Sequence, residues 1–268
     1  MSKILNYFPA IRSIVPYVRN IQVPRIQGSQ KNVFVVNSLD GTFICKFNCQ
    51  ELAKKNAVVS QAFINAGIRV PDIKLGKNEE YWLEVYPIID GKTLYEHIGN
   101  GLSGEKIQYI YHDIVYNFSK MDSICINLLE NTKTRYIHQV ARRNISDVNN
   151  KLFGFVFSET VKQMNKCPIA DIGVYHCCLT PKNIIVDENE KLAGFVDLDE
   201  IAIADKNYAF GMMAAKYQQV GQNPMDLVDY YENISGNKLN HKKIQKVINL
   251  TNIGKSILWH NANKKKIR

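Results

Sequence analysis

The residues from Tyr175 to Asp199, YHCCLTPKNIIVDENEKLAGFVDLD, restrict the fold more than any other stretch of this chain. Asn183-Ile-Ile-Val186 and Leu192–Leu198 are apolar runs of strand length, and Asp187–Glu190 between them is wholly polar and carries turn-forming Asp and Asn. The pattern predicts two antiparallel strands with a polar residue near each outer end, Asn183 at one and Asp197 at the other. An ordinary strand–turn–strand reads the same way, so the rest of the chain must decide what the pair is for.

Upstream, the first 90 residues alternate strands and turns around one helix. Val33-Phe-Val-Val36 and Thr42–Phe47 are rich in β-branched and aromatic residues, and Ser38-Leu-Asp-Gly41 between them is a turn signal. Glu51–Ala66 places Leu52, Val59, Phe63 and Ala66 at helical spacing, with Gly67 as the stop. Tyr81–Tyr86 reads as another strand, ended by Pro87. After Asp90-Gly91 the pattern turns helical: Ile107, Ile110, Tyr111, Ile114, Phe118 and Met121 form one apolar stripe. Stretches at Val161–Met164, Tyr208–Val220, Leu227–Asn233 and Lys242–His260 predict further helices. The expected layout is an α+β chain with a strand-rich lobe over residues 1–86 and a larger helical lobe over 87–268.

No apolar run approaches the ~20 residues of a membrane span, and Met1–Asn20 lacks a signal-peptide core. Cys45, Cys49, Cys125, Cys167, Cys177 and Cys178 show no CxxC spacing and read as reduced thiols, so the expected location is cytoplasmic. The net charge of +9 has one source. Residues 238–268 hold nine Lys or Arg and no Asp or Glu, while the preceding residues balance at 25 against 25. Two readings fit that segment: a solvated helix face with a basic tail, or an attraction for an anionic ligand or surface. No recognition helix or RNA-binding motif accompanies it, which weighs against nucleic acid.

The Tyr175–Asp199 segment resembles the catalytic segment of the aminoglycoside phosphotransferase and choline kinase family, which reads H-G-D-x-x-x-x-N, three apolar residues, a turn, and a strand ending in Asp. His176, Asn183, Ile184–Val186 and Asp197 fall at the matching positions. Other parts occur in family order. Gln27–Val35 looks like the phosphate-covering hairpin, with Gly28, Ser29 and Asn32; Lys46 lies where the nucleotide lysine sits; Gly67–Pro71 resembles the helix-to-strand junction; Trp82–Tyr86 with Ile89–Leu94 resembles the hinge. The resemblance implies a two-lobed protein-kinase-like fold, with a small antiparallel-sheet N-lobe and a mainly helical C-lobe. It implies ATP and Mg²⁺ as cofactors, with Gly28, Ser29, Asn32 and Lys46 on the phosphates and backbone groups of Glu84–Tyr86 on adenine. Asn183 and Asp197 would hold the metal, suited to it as hard oxygen donors on neighbouring strands. The function implied is transfer of the γ-phosphate to a hydroxyl of a small molecule. The basic segment argues for a neutral or anionic sugar- or lipid-type acceptor over a polycation.

The departures bear on turnover. Cys178 occupies the position of the family's catalytic Asp, and a thiol is mostly protonated at pH 7, so it takes no proton from the acceptor. His176 is implied to brace the loop. The lysine's usual helix partner is a Glu, yet Glu51 comes early and no further carboxylate precedes Asp72. In Ala204–Ala209 the family's second Asp, which steadies the catalytic loop, is Ala209. The alternative is therefore a pseudokinase that binds nucleotide or scaffolds partners without turnover. Adjacent cysteines rarely chelate one ion, so His176-Cys177-Cys178 is a poor zinc site. Cys178 as the nucleophile of a cysteine hydrolase needs a nearby base, and the resemblance implies that His176, on the same loop, points inward as an anchor.

Overall fold

A computed structural model of the protein describes residues 7–24, 32–77, 82–129 and 171–252. The expected helix at Val161–Met164, the turn residues Gly28 and Ser29, and the chain beyond 252 lie outside the described residues.

β1 (Val18–Gln22), β2 (Val33–Ser38), β3 (Gly41–Asn48), β4 (Lys74–Lys77) and β5 (Trp82–Pro87) form an antiparallel sheet in the order β1-β2-β3-β5-β4. Strand alternation sorts its two faces. Phe34 and Val36 of β2, Cys45 and Phe47 of β3, and Leu83 and Val85 of β5 are buried together under Ala10 and Ile11 of α1 (Phe8–Ile14). The opposite face carries Ile44 and Lys46 of β3, whose partners on β5 are Tyr86 and Glu84. Helix α1 and edge strand β1 escape the sequence reading because α1 is about two helical turns with Pro9 in the first and Pro16 just beyond the last, and β1 has no regular apolar alternation.

Helix α2 (Gln50–Asn65) ends at Gly67, which takes the left-handed φ of +71° that glycine adopts freely. Its Val59 and Phe63 belong to the larger of the two main apolar clusters, not to the one under α1. Helix α2 thus packs the sheet onto the helical part of the chain. That larger cluster is built on α4 (Gly104–Met121), where all six residues of the apolar stripe are buried. Phe118 stacks on Tyr175 at 4.9 Å and meets Phe210 edge-on at 5.4 Å. Around it lie α5 (Lys206–Gln218), α6 (Pro224–Ser235) and a helix over residues 241–252, α7.

Three short strand pairings carry the remaining chain. β6 (Lys92–Thr93) pairs with β8 (Ile184–Val186), which pairs with β9 (Leu192–Phe195). β7 (Ile172–His176) pairs with β10 (Ile201–Asp205) from Ile201↔His176 to Asp205↔Ile172. Helix α3 (Leu94–Gly99) succeeds β6 through a capping box of Thr93 and Glu96. The strand expected over Leu192–Leu198 stops at Phe195, because Asp197 adopts φ +62°, ψ +64° and turns the chain into a short 3₁₀ segment, Leu198–Glu200. Among the described residues no helix is long and apolar enough to cross a membrane.

Candidate functional site

A cleft of about 460 Å³ opens between the Ile44–Lys46 face of the sheet and the β8–β9 hairpin. Lys46 enters it from the middle of β3, only 7% exposed, which a lysine tolerates when its charge is met. Its Nζ lies 2.9 Å from Asp197 Oδ1 and 2.7 Å from Asp199 Oδ2. Burial alone would lower its pKa, but the two carboxylates outweigh this and hold the ammonium above its ordinary value. Asp197 holds a left-handed backbone, φ +62°, which Asp accepts better than most residues.

The far side of this ion pair is a buried polar network. Lys46 faces Glu84 across the β3–β5 ladder, and Glu84 is 1% exposed. Asn48 donates to Glu84 Oε1 at 2.5 Å; Asn56 of α2 donates from Nδ2 to Glu84 Oε1 at 3.0 Å and to Asp199 Oδ1 at 2.7 Å. Burial pushes the Glu84 carboxyl up to about 7 despite these donors and the nearby Lys46. Lys55 of α2 donates to the carbonyls of Asp199 at 2.7 Å, Ile201 at 3.1 Å and Leu198 at 3.4 Å. In place of a lysine–glutamate pair, α2 thus grips the Asp197–Ile201 segment through Lys55 and Asn56.

Glu84 is also the one clear correction to the expected site. It lies in mid-β5, registered against Lys46 on one side and Leu75 on the other, so its backbone is committed to the sheet. The β5 residues that line the cleft are Tyr86 and Pro87, followed by Ile88 and Ile89. Val33 and Ile44 wall the cleft from the sheet, and Ile185 and Val196 from the opposite hairpin. Gly91, at φ +134°, is required below this segment: a Cβ there would sit 2.3 Å from the Val186 carbonyl oxygen. Asn32 lines the cleft too, its side-chain amide donating to the Phe47 carbonyl while Phe47 N–H donates to the Asn32 carbonyl at 3.0 Å.

The loop after β7 is built on His176, 1% exposed. Nδ1 accepts from the Cys178 N–H at 3.3 Å, so Nε2 carries the proton and donates to the Val196 carbonyl at 3.1 Å. Burial pulls this imidazole down to about 4, and it braces the loop as a neutral group. Asn183 donates from Nδ2 to the Cys178 carbonyl at 2.9 Å, which leaves Oδ1 out of that bond. Val196 N–H donates to the Asn183 carbonyl at 3.0 Å, tying the two polar ends of the hairpin together. Burial first, then the charges of Glu200 and Asp197, push the half-buried Cys178 thiol up to about 11.

Among the expected site residues, the structure brings Lys46 and Asp197 into contact, lines the same cleft with Asn32 and Tyr86, and links Asn183, His176 and Cys178 in one hydrogen-bonded loop. Sequence reasoning misses Asp199, Lys55 and Asn56. A second carboxylate two residues after Asp197 is the one local hint for Asp199; nothing local marks the other two. The basic segment is partly structural: Lys243 forms a buried pair with Asp205 at 2.7 Å, and Lys238 pairs with Glu232 at 2.7 Å.

No protein-family model and no curated protein matches the sequence. Solved structures do match along nearly the whole chain. The choline kinase LicA from Streptococcus pneumoniae superposes with a TM-score of 0.68 at 14% identity, covering 99% of this chain and 92% of that one. An aminoglycoside phosphotransferase from Streptomyces rimosus gives 0.64 at 14% identity, covering 94% and 98%. A type I macrolide 2′-phosphotransferase gives 0.68 at 13% identity, covering 99% and 92%. The chain has the two-lobed, protein-kinase-like α+β fold of these small-molecule phosphotransferases.

Proposed function

We propose that this protein binds ATP with Mg²⁺ in the cleft and transfers the γ-phosphate to a hydroxyl of a small molecule, with the transfer step weakened at Cys178. The carrying observation is Lys46, fixed on the central strand and reaching Asp197 and Asp199 across the cleft. Solved neighbours include an aminoglycoside phosphotransferase in complex with ADP and streptomycin and another with GDP and kanamycin. Lys46 would meet the α- and β-phosphates, and Val33, Ile44, Ile185 and Val196 would sandwich the base. Backbone groups of the segment from Tyr86 to Ile89 would bond its edge, and Gly28, Ser29 and Asn32 would cover the phosphates.

The donor set fits magnesium. Among the described residues no three His, Cys, Asp or Glu side chains group to hold a metal by themselves. Mg²⁺ typically takes one or two protein oxygens and completes its shell with phosphate and water, which the Asp197 carboxylate and the Asn183 amide oxygen can serve. When bound it would supply charge neutralisation on the phosphates. The boundary near residue 86 would separate a nucleotide-covering lobe, residues 1–86, from an acceptor-binding lobe, 87–268. The free thiols of the described residues support a cytoplasmic setting.

A pseudokinase is the second reading, favoured by the thiol at position 178 that stays protonated at neutral pH. Both readings require nucleotide binding. Thermal unfolding with and without Mg²⁺–ATP should show Mg²⁺-dependent stabilisation, about 2.7 kcal/mol at a hundred times Kd, lost in Asp197→Ala. Equal stability with and without millimolar Mg²⁺–ATP would refute both.

A further inference from the structure

The weakened transfer step leaves one question that the rest of the site answers: which group takes the acceptor's proton when position 178 holds a thiol. The β7–β10 ladder begins at Ile201↔His176, and one position further out Cys177 N–H donates to the Glu200 carbonyl at 3.2 Å. Glu200 therefore stands across from the Cys177-Cys178 turn, at the end of the segment that carries Asp197 and Asp199. It lines the same cleft as Lys46 and both of those aspartates. Those two are occupied by Lys46 and Asn56. Glu200 is exposed, and its carboxylate has no hydrogen-bond or ion-pair partner among the described residues. After burial, its charge is also the foremost influence on the thiols of both Cys177 and Cys178.

We infer that Glu200 is the general base of this site, supplying from the β10 side the carboxylate that position 178 lacks. The inference rests on the phosphotransferase reading above. In the step it describes, the acceptor hydroxyl gives its proton to the Glu200 carboxylate as its oxygen forms a bond to the γ-phosphorus of the nucleoside triphosphate. The bond from that phosphorus to the β–γ bridging oxygen breaks, and its electron pair leaves with the nucleoside diphosphate. Two features suit the role. A carboxylate is the usual proton acceptor for such a hydroxyl at neutral pH, and an ordinary thiol is not. With no competing partner among the described residues, the Glu200 side chain can turn towards an incoming hydroxyl.

The test uses the full chain in three forms: wild type, Glu200→Gln, and Glu200→Gln with Cys178→Asp. Calorimetry gives the Kd of Mg²⁺–ATP, and release of inorganic phosphate gives the rate, with water as acceptor. Glu200→Gln, an isosteric change at an exposed position, should leave Kd within about twofold and lower hydrolysis by ~10²–10⁴-fold, the usual share of a general base. Adding Cys178→Asp should restore hydrolysis to within about tenfold of wild type, a rescue that a merely structural role would not give. An unchanged rate in Glu200→Gln overturns the inference. So does a wild type that binds Mg²⁺–ATP without hydrolysing it, or a loss in Glu200→Gln carried wholly by Kd. A wild type that fails to bind Mg²⁺–ATP overturns the phosphotransferase reading itself, an outcome the calorimetry separates from the others.

Discussion

Glu84→Gln should make the protein more stable at pH 8 and leave it almost unchanged near pH 4.5. The side chain is sealed between β3, β5 and α2, and burial outweighs Asn48, Asn56 and Lys46 to raise its carboxyl from 4.5 to about 7. The folded protein therefore holds a proton at Glu84 that the unfolded chain releases. The stability this contributes is complete below pH 4.5 and is lost as pH rises through about 7. A rise of that size corresponds to roughly 3 kcal/mol, since each tenfold change in proton affinity is worth ~1.4 kcal/mol. The glutamine of the variant cannot ionise, and its carbonyl oxygen can still accept from Asn48 and Asn56. The difference in unfolding free energy between variant and wild type should therefore grow with pH towards an upper bound of about 3 kcal/mol at pH 8. Urea titrations of both proteins at pH 5, 6, 7 and 8, monitored by circular dichroism with m-values checked for constancy, would measure it. His176 and the other titrating groups are common to both chains and cancel. A difference that stays flat across this range would refute the argument. A Glu84→Gln protein less stable than wild type at pH 8 would show instead that an ionised Glu84 is held by Lys46.

Two further outcomes concern the basic segment. Lys243→Met breaks the buried pair with Asp205, whose Oδ1 also caps α5 by accepting from Tyr208 N–H at 3.1 Å. Taking the ammonium away from that buried carboxylate should cost ~3–5 kcal/mol, read as a fall in the urea midpoint; a loss below about 1 kcal/mol would mean that water replaces the lysine at Asp205. Expression of the chain in a susceptible bacterium should leave the inhibitory concentration of kanamycin unchanged within about twofold, because the net positive charge of the chain, +9, repels a polycation. Resistance would reverse the reading of the acceptor.

Much of this fold can be read from local pattern, for an identifiable reason. The α4 stripe, the β2–β3 hairpin and the stop at Gly67 depend on period, turn chemistry and backbone freedom, all encoded within short stretches of chain. Lys46, His176, Asn183 and Asp197 are singled out through the family resemblance, whose motifs lie within short segments of chain. The 3₁₀ turn at Leu198 is not legible, since an apolar run reads as strand until one residue takes a left-handed φ. Strand β10 is hidden for a similar reason: Ile201-Ala-Ile-Ala-Asp205 is short and rich in alanine, and its pairing with β7 lies far away in sequence.

The surroundings of the site belong to the tertiary structure alone. Lys46 meets Asp197 across 151 residues, Asn56 meets Asp199 across 143, and Lys243 meets Asp205 across 38. No periodicity announces such partners, because a side chain's charge and length say what it can bond and not what packing will bring to it. For that reason Glu84, with its backbone held in the ladder, became a buried acid beside Lys46 and not a hinge residue. By the same packing, Lys55 and Asn56 hold the Asp197–Ile201 segment in a helix that lacks the family's glutamate, and Glu200 stands across from the cysteine turn. The sequence named the chemistry of these groups; burial and long-range packing assigned their partners.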